Sequence, residues 1–370
     1  MSKARELAEL GAAYDSGALS NRNIIINGAM QVAQRGTSFT GPSSGAYTLD
    51  RWMSGLQTTS GDGDFSQATD VPTATQSGTA FKNSLKFQVT TADASIAATD
   101  RTYLVQKIEG QNLVSGGFGQ SGTRYMTLSF WHKHTKTGTH SLAINNGARD
   151  RSYPMEYTQT TTNTWEKAEL TFPVDTSGTW PTDNTAGMWI FWGIAFGSNY
   201  AGTANAWAGA QAYGTSSQVN NLDSTSNAML FTGVQLEVGS EATPFEHRSF
   251  DEEFILCQRY YQKSFLYGTA IGTSTQEGFW STGGHQGGTS TGYIEGIINF
   301  ERVLRASPTL TLYDHSGNSG KCARLAAGTA RYANETIGTA QLCARGVVLY
   351  SSSGTAAGII QAHYTADAEL

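Results

Sequence analysis

The chain has 370 residues, enough for two or three domains that each bury their own core. Its 24 Lys and Arg against 30 Asp and Glu give a formal net charge of −6, and no basic run occurs, which excludes a nucleic-acid partner held by phosphate contacts. Charged residues make up only 15%, below the roughly 25% of ordinary soluble domains, and 42 glycines take up the difference, as in chains of many short strands joined by turns.

In chain order, residues 1–20 place Leu7 and Leu10 on one face of a short N-terminal helix that cannot stand alone in water and needs a surface to dock on. Within residues 21–36 the run Ile24, Ile25, Ile26 predicts a buried strand. Asn27-Gly28 predicts the turn after it, and Met30 to Val32 a second strand. Asp50 and Arg51 read as a structural ion pair beneath Trp52. Strands are predicted at 81–90, 102–108, 124–134, 140–145, 165–173 and 188–196, with 140–145 pairing back onto 124–134 across Thr137-Gly138-Thr139. Residues 231–238 close the set, with Val234, Leu236 and Val238 alternating with Gln235 and Glu237. Eight or more antiparallel strands with no long helical period predict an all-β jelly roll or β-sandwich. Ser249 and Glu252 then carry a capping-box pattern, opening a short helix on which Phe250, Phe254, Cys257 and Tyr261 share an apolar face. Strands at 293–300, 309–313, 341–349 and 358–364, separated by glycine-rich loops such as 283–291, predict a second, smaller β-sandwich. The organisation read from sequence is therefore an N-terminal segment (1–20), a jelly-roll domain (21–248), a joint helix (249–262) and a distal β-domain (263–370).

No stretch approaches the ~20 apolar residues of a membrane helix and no apolar signal region opens the chain, so membrane insertion and signal-directed export are not expected. Three cysteines, Cys257, Cys322 and Cys343, cannot all pair within one chain and read as thiols of a protein assembled in a reducing cytoplasm.

Three blocks carry a family resemblance. Residues 233–262 read GVQLEVGSEATPFEHRSFDEEFILCQRYYQ, residues 21–36 read NRNIIINGAMQVAQRG, and residues 47–52 read YTLDRW. They resemble tail fibre proteins of tailed bacteriophages, whose common forms are GVQLE.G..ATPFE.R...EEL..CQRYY, N.I.NGAM...QRG and YT.DRW. Residues 305–309 (RASPT) resemble the R..PT block of the same family's distal domains. The resemblance implies a virion protein assembled in the host cytoplasm as a homotrimer. Its N-terminal segment, with Leu7 and Leu10, would attach to the phage tail, baseplate or an adaptor protein. Its jelly roll would be like a carbohydrate-binding module and would meet host-surface polysaccharide. Two other readings stay open: a purely structural tail or baseplate connector, and a polysaccharide depolymerase tailspike.

Candidate glycan contacts are the aromatic residues of polar loops, because sugars lay their apolar faces on rings while amides and hydroxyls take up their hydroxyl groups. These are Trp180, Tyr200, Trp207 and Tyr213 in the jelly roll, and Phe279, Trp280 and His285 in the distal domain. Trp189 and Trp192, inside an apolar strand, read as core. His132 and His134 share a strand face with His140 nearby. Their hairpin lacks Asp, Glu or Cys to complete a metal shell, so they read as surface residues and no metal is assigned. Asp62 and Asp64, each beside glycine, read as a solvated turn, and jelly-roll sugar-binding modules leave room for a structural calcium. No other cofactor is expected. Glu237, Glu246, Asp251 and Glu252 form the densest acidic group but sit at a strand end and a helix cap. With no nucleophile elbow, zinc-protease helix or phosphate loop, no catalytic residue is assigned and the chain reads as a non-enzyme.

Overall fold

A computed structural model describes Lys3 and residues 21–57, 59–281, 293–325, 331–351 and 359–370. The chain divides into two compact units, the first comprising 1–31 and 37–250, the second 32–36 and 251–370.

In the first unit the strands are β1 (Ser38–Phe39), β2 (Trp52–Gln57), β3 (Asp62–Ala68), β4 (Ser84–Thr91), β5 (Arg101–Glu109), β6 (Tyr125–His134), β7 (Gly138–Asn146), β8 (Ser152–Gln159), β9 (Glu166–Pro173), β10 (Ala186–Phe196), β11 (Ala201–Gly202), β12 (Gly214–Thr215) and β13 (Ala228–Val238). A six-stranded sheet runs β1-β3-β4-β13-β6-β9 and a five-stranded sheet β2-β5-β10-β7-β8, while β11 and β12 form a separate parallel pair. Every pairing in the two large sheets is antiparallel. The unit is an all-β sandwich, and strand alternation builds its core. Along β10, Met188, Ile190, Trp192 and Ile194 are buried toward the opposite sheet. Trp192 packs 5.3 Å from Trp52 and 5.9 Å from Phe130, and Phe130 packs 6.2 Å from Phe231, joining both sheets through one aromatic cluster. Each such ring removes about 150–250 Å² from water, worth several kcal/mol.

The structure corrects several local expectations. Residues 23–30, buried apart from the half-buried Ile24, form no strand pair. Their backbone groups are met largely by side chains, besides the bonds of Ile24 N to Leu236 O and Gly28 O to Val234 N. The Gln106 amide donates to Ile26 O at 3.0 Å and accepts from Ile26 N at 3.1 Å, while Asn23 Oδ1 accepts from both Ile25 N and Leu236 N. Strand β7 does not pair with β6. It lies in the other sheet between β10 and β8, so the short connection after His134 crosses from one sheet to the other. Asp62 and Asp64 stand within β3, where Asp64 accepts from Gly41 N at 3.0 Å, and do not form a turn. Strand β8, which contains Pro154, pairs only with β7 among the large-sheet strands, the edge position where a missing N–H is tolerated.

The crossing after β6 explains the histidines. His132, His134 and His140 are at most 1% exposed and lie between the sheets, not on the surface. Their rings stack in series, with centroids 5.1 Å apart for His132 and His134 and 4.1 Å for His134 and His140, and Tyr157 packs against all three. Burial holds His132 and His140 down at about 4 from an ordinary 6.5. It drives His134 well below its usual range, with the neighbouring histidines opposing its charge further. The stack is therefore neutral in the folded protein.

The second unit opens with α2 (Phe250–Gln258), named after the one-turn α1 (Ala74–Ser77) of the first. On α2 the buried residues are Glu253, Cys257 and Gln258, whereas Phe250 is 41% exposed. The predicted apolar stripe is broken because the helix lasts only nine residues and Tyr261 already lies in a strand. That strand is β14 (Tyr261–Lys263), followed by β15 (Trp280–Ser281), β16 (Tyr293–Asn299), β17 (Thr309–Tyr313), β18 (Cys322–Leu325), β19 (Arg331–Glu335), β20 (Gly338–Cys343), β21 (Gly346–Ser351) and β22 (Ile359–Asp367). One sheet runs β14-β22-β18-β19 with β15 and β17 also on β22, and a second runs β16-β21-β20. Residues 341–349 are thus a hairpin and not one strand. Ile298, Val347 and Leu349 of the smaller sheet share a core with Leu312, Ile360, Ala362 and Tyr364 of the larger, which makes a second sandwich. Residues 32–36 belong to this unit. Gln34 donates to Tyr261 O at 3.0 Å, and the Arg35 guanidinium lies 3.7 Å over the Tyr261 ring and 3.0 Å from Asp367. Cys257 and Cys322 are buried and Cys343 exposed, all as free thiols.

Two outcomes test this packing. A methyl group on Gly28 would meet the Val234 carbonyl oxygen at 2.1 Å, a backbone atom that cannot step aside. Gly28→Ala is therefore expected to cost about 1–3 kcal/mol in urea unfolding, and an unchanged midpoint would contradict the packing of this segment. Because the buried histidines are neutral when folded and protonate on unfolding below 6.5, the unfolded state binds more protons as pH falls. Stability should be full above about 6.5 and decline toward about 4, by about 2 kcal/mol each for His132 and His140 between pH 7.5 and 5. Equal or greater stability at pH 5 would refute the buried stack.

Candidate functional site

Residues 21–31, 47–52 and 233–250 of the three blocks that carry the resemblance converge in the first unit, while 32–36 and 251–262 belong to the second. Ile24 N donates to Leu236 O at 2.9 Å, Val234 N to Gly28 O at 3.0 Å, and Trp52 Nε1 to Asn27 O at 3.0 Å. Strand β13 bulges between Thr232 and Gln235, where Gly233 takes a positive φ of 60°, and this places Val234 against Gly28. Arg248 donates to the carbonyls of Ile25 and Asn23. Glu237 accepts from Thr243 N and Oγ1 and from Gln235, and Glu246 accepts from Asn23 N at 2.8 Å. The two central acids of the densest acidic group are thus occupied in tying the chain together. Asp251 and Glu252 lie exposed in the first turn of α2.

The face of the five-stranded sheet turned away from this core is different. Tyr103, Val105 and Lys107 of β5, Trp189 and Phe191 of β10, and Met53 of β2 point outward, opposite the inward set. Residues 198–219 cover part of this face. Asn145 Nδ2 donates to Ala212 O at 2.9 Å, Thr215 Oγ1 to Glu156 at 2.6 Å, and Gln218 Nε2 to Gly193 O at 2.9 Å. Tyr213 stacks on Tyr103 with centroids 4.7 Å apart, edge-on to Phe191 at 4.6 Å, and Tyr200 packs beside it at 4.9 Å.

Half-buried rings and three cations, of which Lys107 is buried, Arg101 half-buried and Arg149 exposed, occupy the margin that remains. Lys107 Nζ lies 4.2 Å, and Arg149 Cζ 4.9 Å, from the Trp189 ring centre, and Lys107 also faces Tyr47 at 5.7 Å. At the other end of β5, Arg101 lies 4.9 Å over Tyr200 and donates to its hydroxyl and to Gln57. Trp189 Nε1 has no hydrogen-bond acceptor among the described residues. Burial raises the phenols of Tyr103 and Tyr213, and the charges of Arg101 and Arg149 draw both back down, so both guanidiniums act on this one face. Tyr103, Val105, Phe191 and Met53 are at most 5% exposed, so the rings open to a ligand are Trp189 and Tyr47 at one end and Tyr200 at the other. Such rings, with donors beside them, can stack and hydrogen-bond a polyhydroxylated chain.

The residues predicted from sequence are distributed unevenly. Tyr200 lies on this margin, but Tyr213 is 1% exposed and serves as core, because its ring is clamped between Tyr103, Phe191 and Tyr200. Trp180 and Trp207 come together elsewhere, edge-on at 5.8 Å, with Phe118 and Tyr153 against them. Their indole N–H groups are taken by Ser177 O and Pro173 O, which pins local loops and leaves each ring half-buried. In the second unit Phe279 packs on His363 at 4.3 Å, while Trp280 turns to the opposite face against the core and donates to Ile297 O. His285, Leu7 and Leu10 lie outside the described residues. Trp189, read from sequence as core, stands half-buried on the outward face. The signal that could find it is the alternation in MWIFWGIAF, where Met188, Ile190 and Trp192 are inward.

A small depression of about 30 Å³ lies beside Phe118 and Trp180, and two larger ones are found among the described residues. One, about 600 Å³, lies on the outer face of the six-stranded sheet and is lined by Lys86, Lys133, Asp70, Gln88 and Asn163 without an aromatic residue. The other, about 430 Å³, lies on the second unit beside Arg35, Tyr261, Tyr313 and Asp367. Among the described residues no three His, Cys, Asp or Glu side chains are placed to hold a metal ion.

Against protein-family models and curated protein sequences the chain has no match. Among solved structures it is similar to the enzymatically active domain of tailspike protein 4 of bacteriophage CBA120, at 14% identity over 54% of this chain and 22% of that one, with a TM-score of 0.29. It is also similar to the family 11 carbohydrate-binding module of Clostridium thermocellum, at 10% identity over 56% and 98% with a TM-score of 0.28. The N-terminal CBM22 tandem domain of Paenibacillus barcinonensis Xyn10C is similar at 9% identity over 91% and 92%, with a TM-score of 0.27. The chain thus spans about a fifth of the tailspike chain. At these scores the likeness carries no weight beside the strand order itself, which makes both units all-β sandwiches.

Proposed function

We propose that the chain is a non-enzymatic tail fibre protein of a tailed bacteriophage, working as a homotrimer that attaches to polysaccharide on the host surface. The observation that carries the glycan reading is the outward aromatic margin of the five-stranded sheet, where Trp189, Tyr47 and Tyr200 stand among polar and cationic side chains. Three sequence blocks resembling phage fibres support the setting, and their convergence on one packing knot supports reading them as the scaffold of that family. The tailspike and carbohydrate-binding-module likenesses agree with this setting but add nothing to it. Residues 1–20 mount the fibre on the tail, baseplate or an adaptor, which makes the protein a virion component. Non-enzymatic work is supported by the occupation of Glu237 and Glu246 in chain-tying hydrogen bonds. Weak contacts repeated on three chains gain by linkage what each lacks alone.

The isolated chain should run as a trimer in native mass spectrometry, and a monomer at micromolar concentration would remove the fibre architecture. On an array of bacterial surface glycans, Trp189→Ala should weaken binding about tenfold, the loss of roughly one stacking contact, while the thermal midpoint stays within a few degrees. A wild-type protein that binds no glycan would overturn the attachment role.

A further inference from the structure

We infer that the saccharide taken by this face is anionic, bearing carboxylate or phosphate groups; the inference rests on the glycan-binding reading above. The chain as a whole is acidic, with 30 Asp and Glu against 24 Lys and Arg, yet cations gather on this face. Arg101, Lys107 and Arg149 all lie over rings of the outward strip. Lys107 is six residues beyond Arg101 on β5, so positive charge stands at both ends of a strip about 20 Å long.

How the guanidiniums are satisfied matters more than their number. Elsewhere in this unit Arg151 is held by Asp175 at 2.7 Å, Lys133 by Asp70 at 2.7 Å, and Arg248 lies 3.7 Å from Glu246. Arg101 and Arg149 have no carboxylate partner among the described residues. Arg101 is held by the neutral groups of Gln57 and Tyr200, and Arg149 is exposed and meets only the Trp189 ring. The acids next to them in the sequence are engaged with other groups. Asp100 accepts from Ala97 N at 2.7 Å, and Asp150 accepts from Asn146 at 2.7 Å. Two Arg101 donors, Nε and Nη1, are taken by Gln57 and the Tyr200 hydroxyl, whereas Arg149, exposed over the Trp189 ring, has its edge donors available in a fork that matches carboxylate or phosphate oxygens. A neutral sugar needs the rings but gives these guanidiniums no opposite charge. An anionic saccharide uses both.

The test is an array of paired polysaccharides, each acidic chain printed beside its carboxyl-reduced or dephosphorylated form, probed with full-length wild type, Arg149→Gln, Arg149→Lys and Arg101→Gln. Wild type is expected to bind acidic members at least tenfold more tightly than their neutral partners, and to lose this preference as salt rises from 20 to 300 mM. Arg149→Gln and Arg101→Gln should each lower acidic binding about tenfold with an unchanged trimer mass, and Arg149→Lys should retain part of it. Whether the uronate or the phosphate pairs respond identifies which anion is read. Equal binding to both members of each pair, or acidic binding untouched in both Gln variants, overturns the anionic class and leaves glycan attachment standing. No binding to any printed chain overturns the attachment reading itself.

Discussion

Everything in the first unit depends on one laying-down of chain. Residues 23–28 run along β13 with their backbone polar groups satisfied mainly by amide and carboxylate side chains, not by a regular ladder. A buried backbone group without a partner costs about as much as a lost hydrogen bond, so this segment can enter the core only because Asn23, Gln106, Glu246 and Arg248 stand where they do. With it comes the Asn27 carbonyl that receives the Trp52 indole, and Trp52 in turn seats Trp192, the ring joining the two sheets.

That arrangement separates what resembles phage fibres from what could touch a ligand. The resembling blocks supply Asn23, Asn27, Gly28, Trp52, Gln235, Glu237, Glu246 and Arg248, all engaged in holding chain to chain. Trp189, Arg149, Arg101 and Tyr200 come from outside those blocks, and of the margin rings Tyr47 belongs to one of them. A scaffold of this kind sets the position of the outer face without dictating the side chains displayed on it.

Much of the fold was legible in sequence because period-two alternation is a direct record of burial. β4, β5, β6, β9, β10 and β13 lie close to their predicted places. What failed did so for physical reasons. Ile24 to Ile26 look like a strand, but hydrophobicity reports burial and not which partner closes the hydrogen bonds. The histidines look like surface residues because polarity is the stronger signal, yet the crossing from β6 to β7 carries their rings inward, where they stack on one another and on Tyr157. Residues 341–349 read as one strand because the turn after Cys343 is built from Ala344 and Arg345, neither of which marks a turn by composition. The candidate site was only partly readable. Ring-rich loops were found, but whether a ring pins its own loop, as Trp180 and Trp207 do, or faces outward, as Trp189 does, is settled by tertiary packing.

Residues 32–36 bear on how the two sandwiches could ever be parted. The polypeptide enters the second unit at 32, leaves it after 36, and returns at 251. A fragment begun at 251 would have no Gln34 donor for the Tyr261 carbonyl and no Arg35 over the Tyr261 ring or beside Asp367. A protease nick near 250 would leave residues 32–36, part of the second unit, still continuous with the first. The chain passes between the units after 31, after 36 and after 250, so one scission leaves two covalent passages intact.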